Sequence, residues 1–323
     1  MSYSFYTPVI LSAQLKINKP YRVMYNGHPV VIIKTETHTA AFEDYCPHRG
    51  LALSEGLVHQ GVLQCKYHGW TFDCQNGQNT FVPVKNEKTQ CNLRSFFVNQ
   101  AYGIIWLSHL EKCLLPTLKD DMHPMTLHGE INAKISNTLE NFLEGSHTHF
   151  VHDGLIRSKT KTRNEINAKI VSLENGFQVN YESEPAKGLV TKLLPKRFST
   201  LRAVSTYFHP NIVVLEYFNG ENQMISRFEA ILIEEGNQTR YIARIFLNLG
   251  FLTPLIKPFA KMAFDKIIKQ DKEILESQER NLTGFQNNKF ISDETDIVGK
   301  YIHAWSNKME GNLEKEIHFK VYW

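Results

Sequence analysis

The sequence predicts an α+β protein in two parts: an all-β unit over residues 1–115, then an α+β unit with an antiparallel sheet over residues 116–323. Three observations predict it. The first third reads as short strands broken by Asn-Gly turns, with no helical periodicity of useful length. Residues 168–249 form long alternating segments of the kind that half-buried strands show. Pro258 then opens a helical pattern that reaches about Gln286, proline being at ease in a first helical turn. A chain of 323 residues has the length of about two domains.

In the first unit, residues 21–25 and 30–33 flank Asn26-Gly27, a hairpin signal because both residues accept positive φ. Residues 70–72 and 80–82 flank a second such pair, Asn76-Gly77, and residues 103–107 read as a buried strand. Residues 114–124, with Pro116, Pro124 and the adjacent Asp120 and Asp121, read as a linker. A short helix is expected from about Asn137 to His147. Strands over 168–183, 203–217 and 224–249 turn at Glu174-Asn175-Gly176 and Glu235-Gly236-Asn237, and residues 297–309 suggest a second helix.

Apolar residues make up 42% and charged residues 21%, which excludes a wholly disordered chain. A net charge of +3 is too small to argue for nucleic acid. Residues 1–8 lack a basic start followed by an apolar core, so no secretory leader is expected. The most apolar stretch, 245–268, is interrupted by Asn248, Pro254, Lys257, Pro258, Lys261, Asp265 and Lys266, so no transmembrane segment is expected. The five cysteines are an odd number, and two lie close to histidines. That favours a reducing compartment, the cytoplasm, with metal work for some thiols.

Those two thiols stand in Cys46-Pro47-His48-Arg49-Gly50 and Cys65-Lys66-Tyr67-His68-Gly69-Trp70. Each segment places one thiol and one imidazole in a tight loop, and Gly50 and Gly69 let the backbone close around a bound group. Two readings fit two Cys and two His. One is a single tetrahedral zinc. The other is a [2Fe–2S] cluster with two thiolates on one iron and two imidazoles on the other. Cys74, Cys91 and Cys113 have no histidine at ligand spacing. The order Cys-x-His then Cys-x-x-His resembles the cluster-binding loops of the Rieske family. The resemblance implies that Cys46 and Cys65 hold the inner iron and His48 and His68 the outer one. Respiratory-type members usually carry a further cysteine pair. This chain has none there, which points to the oxygenase branch or to a small ferredoxin; a ferredoxin is expected to end near residue 110, and more than 200 residues with their own candidate metal site follow.

A second constellation is Asn141-Phe142-Leu143-Glu144-Gly145-Ser146-His147-Thr148-His149-Phe150-Val151-His152. Two imidazoles and a carboxylate form the facial triad of non-haem Fe(II) oxygenases, with open positions for other ligands. On an ideal helix residues 147 and 152 are about 140° apart and residues 149 and 152 about 60°, so spacing alone favours His149 with His152. Glu144-x-x-His147-x-x-x-x-His152, however, resembles the motif of Rieske oxygenases, in which the helix ends between the ligands. That resemblance implies His147 and His152 as ligands, with His149 as a neighbour. Asp271 is the expected third ligand. Its helical neighbours Ile267, Ile268, Ile274 and Leu275 are apolar, and a lone carboxylate on such a stripe is costly unless paired, protonated or metal-bound. The segment also resembles the late helix that supplies this ligand in the family. Glu273 and Glu276 have polar neighbours and read as solvated.

The resemblance implies that Glu144, usually Asp in the family, bridges a cluster histidine of one subunit to an iron-ligand histidine of the next. Asn141, one turn earlier, is expected to face the iron. The whole then reads as a Rieske [2Fe–2S] domain over 1–115 and a helix-grip-like catalytic domain with a mononuclear iron over 116–323. The expected activity is that of a terminal oxygenase using O2 to hydroxylate or oxidatively demethylate a small organic substrate. A monooxygenase or demethylase is favoured over an aromatic-ring dioxygenase. The alternatives are a Rieske electron-transfer or ligand-sensing protein without turnover, and a zinc-stabilised protein. No Gly-x-Gly-x-x-Gly fingerprint is present, so electrons are expected from a separate NAD(P)H-dependent reductase or ferredoxin. Lys187, Lys192, Lys196 and Arg197 are candidates to meet an acidic donor, and the basic run 157–163 to meet an anionic substrate. A homo-oligomer, a trimer by family habit, is expected. The aromatic residues of the second unit, among them Phe142, Phe198, Tyr207, Tyr217, Phe228 and Phe246, line cores more often than pockets, and none is assigned.

Overall fold

The computed structural model describes residues 5–118, 124–155, 165–185, 200–285, 290–307 and 309–322. The basic run 157–163, Lys187, Lys192, Lys196, Arg197 and Phe198 lie outside the described residues. The chain divides into two units, Met1–Leu118 with Ile233–Gly236, and Lys119–Leu232 with Asn237–Trp323.

Asn26-Gly27 makes the first hairpin of the first unit. Both residues take positive φ (50° and 78°), which matches the twist of the flanking strands. Those strands, β2 (Pro20–Tyr25) and β3 (His28–Lys34), pair with Tyr25 opposite His28. With β1 (Thr7–Leu11), β4 (Thr39–Glu43), β9 (Ser95–Ala101) and β10 (Ile104–Ser108) they form a six-stranded sheet in the order β1-β10-β9-β4-β3-β2. A four-stranded sheet holds β5 (Leu57–His59), β6 (Val62–Gln64), β7 (Thr71–Asp73) and β8 (Asn79–Phe81). Strand β3 is apolar without alternation because both its faces are buried. Val30 and Ile32 join one core with Val9 and Leu107, while Val31 and Ile33 join another with Phe42, Phe72, Cys46 and Cys65. The two loop cysteines are thus anchored in a core.

In the second unit, β11 (Met125–Ile131), β12 (Glu165–Leu173), β13 (Gly176–Pro185), β14 (Thr200–Phe208), β15 (Ile212–Phe218), β16 (Met224–Glu235), β17 (Gln238–Leu247) and β18 (Glu316–Tyr322) form one eight-stranded sheet, in the order β11-β17-β16-β15-β14-β13-β12-β18. Alternate residues, such as Phe177, Val179 and Tyr181 of β13 or Phe228, Ala230 and Leu232 of β16, face one core. Among the described residues, three helices cover it: α1 (Ile135–Leu143) with Leu139 and Phe142, α2 (Thr253–Phe285) with Ile268 and Leu275, and α3 (Ile297–Ser306) with Tyr301 and Trp305.

Two helix boundaries differ from expectation. The helix expected to reach His147 ends at Leu143, and a 3-10 turn spans Ser146–His149. Glu144 is extended (φ −84°, ψ 147°), and its carboxylate accepts hydrogen bonds from the N–H groups of Ser146 and His147, so the side chain competes with the next helical turn. The long helix begins at Thr253 rather than Pro258, which lies inside it. Pro254 already occupies the first turn, where a missing N–H leaves no bond unmade.

Candidate metal centres

The two Cys-His loops are built alike. In the first, Cys46 N–H donates to Leu51 O and Gly50 N–H to Cys46 O, both at 2.8 Å. In the second, Cys65 N–H donates to Trp70 O (2.8 Å) and Gly69 N–H to Cys65 O (3.0 Å). Each loop closes on a glycine at positive φ, +77° at Gly50 and +71° at Gly69. A Cβ on Gly50 would stand 2.9 Å from the Tyr45 ring, so a side chain there is strained and crowded.

The thiols of Cys46 and Cys65 are buried, whereas His48 is half-buried and His68 exposed. The two imidazoles lie 4.5 Å apart between ring centroids, and the indole of Trp70 stacks on His48 at 4.7 Å and 6°. The Nδ1 atom of His48 is shielded from water and has no hydrogen-bond partner, a state costly for a polar atom unless a metal takes it. Burial pushes the Cys46 thiol up to about 11, against hydrogen bonds from the His48 and Arg49 N–H groups. A bound cation reverses that preference and takes the thiolate. Inner thiols and outer imidazoles fit a cluster with two unlike irons.

The second centre is assembled from α1, the turn after it, and α2. Among the described residues, ligand atoms of His147, His152 and Asp271 all lie within 4.8 Å of one another. Asp271 Oδ1 stands 3.4 Å from His147 Nε2 and 3.0 Å from His152 Nε2. His152 is 1% exposed and Asp271 3%. Behind them, His147 Nδ1 donates to Glu144 Oε1 at 2.5 Å and His152 Nδ1 to Gln270 Oε1 at 3.0 Å. Both outer nitrogens are engaged, which leaves both Nε2 atoms directed at the shared space. Two imidazole nitrogens and one carboxylate oxygen converging from protein-held side chains fit a facial triad. His149 is outside this set, so among the described residues the geometry fits the pairing of His147 with His152.

Burial drives the Glu144 carboxyl upward, but the His147 and Ser146 hydrogen bonds prevail and hold it below its ordinary value. The apolar stripe around Asp271 is narrower than expected: Ile268 and Leu275 are buried, while Ile274 is 51% exposed. Glu276 is not a solvated residue. It accepts from Asn132 N (3.0 Å) and Nδ2 (2.8 Å), and one turn on, Glu279 accepts from Lys134 N at 3.3 Å. These contacts tie α2 to the segment leading into α1. Sequence reading missed them, and it missed Gln270.

A cavity partly open to solvent lies over the triad, which helps to line it. Phe142, Tyr217 and Phe228 line it, as do Tyr181, Leu215 and Phe264. Tyr207 belongs to the core instead. Asn141 also lines the cavity. It is 9% exposed, and its Oδ1 has no hydrogen-bond partner.

Comparison with known proteins agrees with this geometry. A Rieske [2Fe-2S] domain model matches residues 5–97, covering both Cys-His loops, and a Vanillate O-demethylase oxygenase C-terminal domain model matches residues 131–309, covering the triad. The fold and its two centres are those of a Rieske-type terminal oxygenase. The chain belongs to the Rieske non-haem iron oxygenases, in the branch whose catalytic half is of the vanillate O-demethylase type. That membership sets aside the zinc reading.

A vanillate O-demethylase oxygenase subunit of a Pseudomonas strain is 29% identical over 143 residues, 42% of this chain and 43% of that protein. A second such subunit, from another Pseudomonas strain, is 24% identical over 295 residues and 82% of each chain. A 4beta-methylsterol monooxygenase of Methylococcus capsulatus is 33% identical over 114 residues, 33% of this chain and 30% of that protein. The first and third of these matches span less than half of the relatives' own lengths. Dicamba monooxygenase bound to dicamba superposes with a TM-score of 0.72 at 20% identity, covering 97% of this chain and 98% of that one, which shows the shared fold. Among the described residues, no helix is long and apolar enough to cross a membrane.

Proposed function

We propose that this protein is a terminal oxygenase that hydroxylates or oxidatively demethylates a small organic substrate, with residues 1–115 as the cluster domain and 116–323 as the catalytic domain. One observation carries the reading: His147, His152 and Asp271 converge under a cavity walled by aromatic and aliphatic side chains. When bound, the cluster supplies single electrons and the ferrous ion supplies O2 activation. Cys46, Cys65, His48 and His68 hold the former; His147, His152 and Asp271 hold the latter. The apolar walls seat the substrate and exclude water.

Glu144 orients His147 and draws on its Nδ1 proton, and Asn141 offers an unpaired carboxamide oxygen to whatever occupies the cavity. A separate NAD(P)H-dependent reductase or ferredoxin delivers the electrons in the cytoplasm. A homotrimer brings Glu144 of one subunit beside a cluster histidine of the next. The dealkylating outcome is favoured by likeness to proteins named vanillate O-demethylase oxygenase subunit.

The test is a substrate screen with a surrogate reductase and isotopically labelled O2. Label is expected in the hydroxylated product, or in the aldehyde released by demethylation. Reductase-dependent turnover that survives His147→Ala at the wild-type rate contradicts the reading.

A further inference from the structure

His152 is flanked at its two ring nitrogens by consecutive residues of one helix. Gln270 Oε1 lies 3.0 Å from Nδ1 and Asp271 Oδ1 lies 3.0 Å from Nε2, and the ring is buried from water. We propose that Gln270 is a positioning residue for the mononuclear iron: an uncharged acceptor that keeps the proton of His152 on Nδ1, frees the Nε2 lone pair for the metal, and makes the two histidine ligands electronically unequal. This rests on reading His147, His152 and Asp271 as the iron ligands.

A neutral imidazole carries one N–H, and its tautomer is set by the partner of the other nitrogen. An amide oxygen can only accept, so Nδ1 must donate and Nε2 is left bare. The ring is 1% exposed, so bulk water does not supply that acceptor. Without Gln270 the Nδ1–H is a buried orphan, and the ring gains by turning away or by moving its proton to Nε2, facing Asp271.

Position on α2 adds a second consequence. Gln270 and Asp271 are adjacent, so any displacement of the helix carries the carboxylate ligand and the orienting amide together. His152 therefore keeps its relation to Asp271 when the helix shifts.

The partner of His147 differs in kind. A carboxylate oxygen at 2.5 Å withdraws proton density from Nδ1 more strongly than an amide at 3.0 Å, which makes His147 the stronger electron donor of the pair. A carboxylate behind each histidine would set one further negative charge in the site and favour the ferric over the ferrous state. Gln270 orients His152 without adding that charge.

The experiment uses the full chain with its cluster in place and Co(II) at the mononuclear site, comparing wild type, Gln270→Leu and Gln270→Glu. Co(II) affinity is expected to fall about 10- to 100-fold in Gln270→Leu, with an altered visible spectrum, and to return toward wild type in Gln270→Glu. In the iron-loaded form, Gln270→Glu is expected to lower the potential of the mononuclear iron while the cluster's potential stays unchanged. Wild-type affinity and spectrum in Gln270→Leu overturn the proposal, even if its metal-free Tm falls. If Gln270→Leu does not fold, an unchanged spectrum and potential in Gln270→Glu overturn it. A wild-type chain that binds no Co(II) outside the cluster overturns the ligand reading itself.

Discussion

Asp271 Oδ1 stands 3.0 Å from His152 Nε2, with both side chains buried to within a few per cent. A carboxylate and an imidazole so placed satisfy each other only in part. His147 Nε2 also approaches the same oxygen at 3.4 Å, and Oδ1 is left without a hydrogen bond of good geometry. The desolvation of three polar groups around one point is costly without a cation and favourable with one. This arrangement fits a metal site better than a ligand-binding cup alone.

Glu144→Gln keeps the shape of the side chain and removes its charge from His147 Nδ1. Metal affinity at the triad is expected to drop about 10- to 100-fold, measured by Co(II) titration. The iron content of the cluster should not change, since Cys46, His48, Cys65 and His68 are all kept.

His48→Cys exchanges a neutral cluster ligand for a thiolate. The added negative charge is expected to lower the cluster potential by on the order of hundreds of millivolts. Protein-film voltammetry reads this directly. A cluster that assembles in this variant at the wild-type potential excludes His48 as a ligand.

Asn141→Leu separates stability from function. Asn141 Oδ1 is buried and unpaired, so an apolar side chain of similar size removes a desolvated atom at no loss of partner. Thermal melts are expected to show a Tm no lower than wild type, while substrate-dependent O2 uptake falls. A lowered Tm with unchanged turnover would place Asn141 in the packing alone.

Glu276→Gln tests the tie between α2 and the segment before α1. Burial raises the Glu276 carboxyl, but hydrogen bonds from Asn132 and the charge of Lys272 hold it, on balance, below its ordinary value of 4.5. A carboxylate with a depressed folded pKa stabilises fully above the unfolded value and loses that contribution as pH falls through the folded one. The stability difference between wild type and variant, about 1–3 kcal/mol at neutral pH, is therefore expected to shrink as pH falls below 4.5. Denaturant melts at two pH values check the sign.

Much of this was legible in the chain because the features were local. Cys46-x-His48 and Cys65-x-x-His68 lie within single loops, and Asn26-Gly27 writes its own turn. Asp271 was legible because a carboxylate among isoleucines is out of place, although Ile274 proved solvent-facing. Gln270 was hidden because glutamine is unremarkable on a helix surface, and its partner His152 lies over a hundred positions away. Glu276 was read as solvated for the same reason: Asn132, which it holds, is 144 positions distant. The end of α1 was misplaced because helical periodicity says nothing about a carboxylate that bonds its own following N–H groups. Such long-range pairings are set by topology and leave no periodic trace in sequence.

The central claim is that two iron centres of different kind reside in one chain, one on Cys46, His48, Cys65 and His68, the other on His147, His152 and Asp271. Its most direct test is iron content with electron paramagnetic resonance on anaerobically prepared wild type and Asp271→Ala. Wild type is expected to hold about three irons per chain, two of them in the cluster. Asp271→Ala should hold about two, with an undiminished reduced-cluster signal. An Asp271→Ala protein that keeps the third iron, or a wild type without the reduced-cluster signal, contradicts the account.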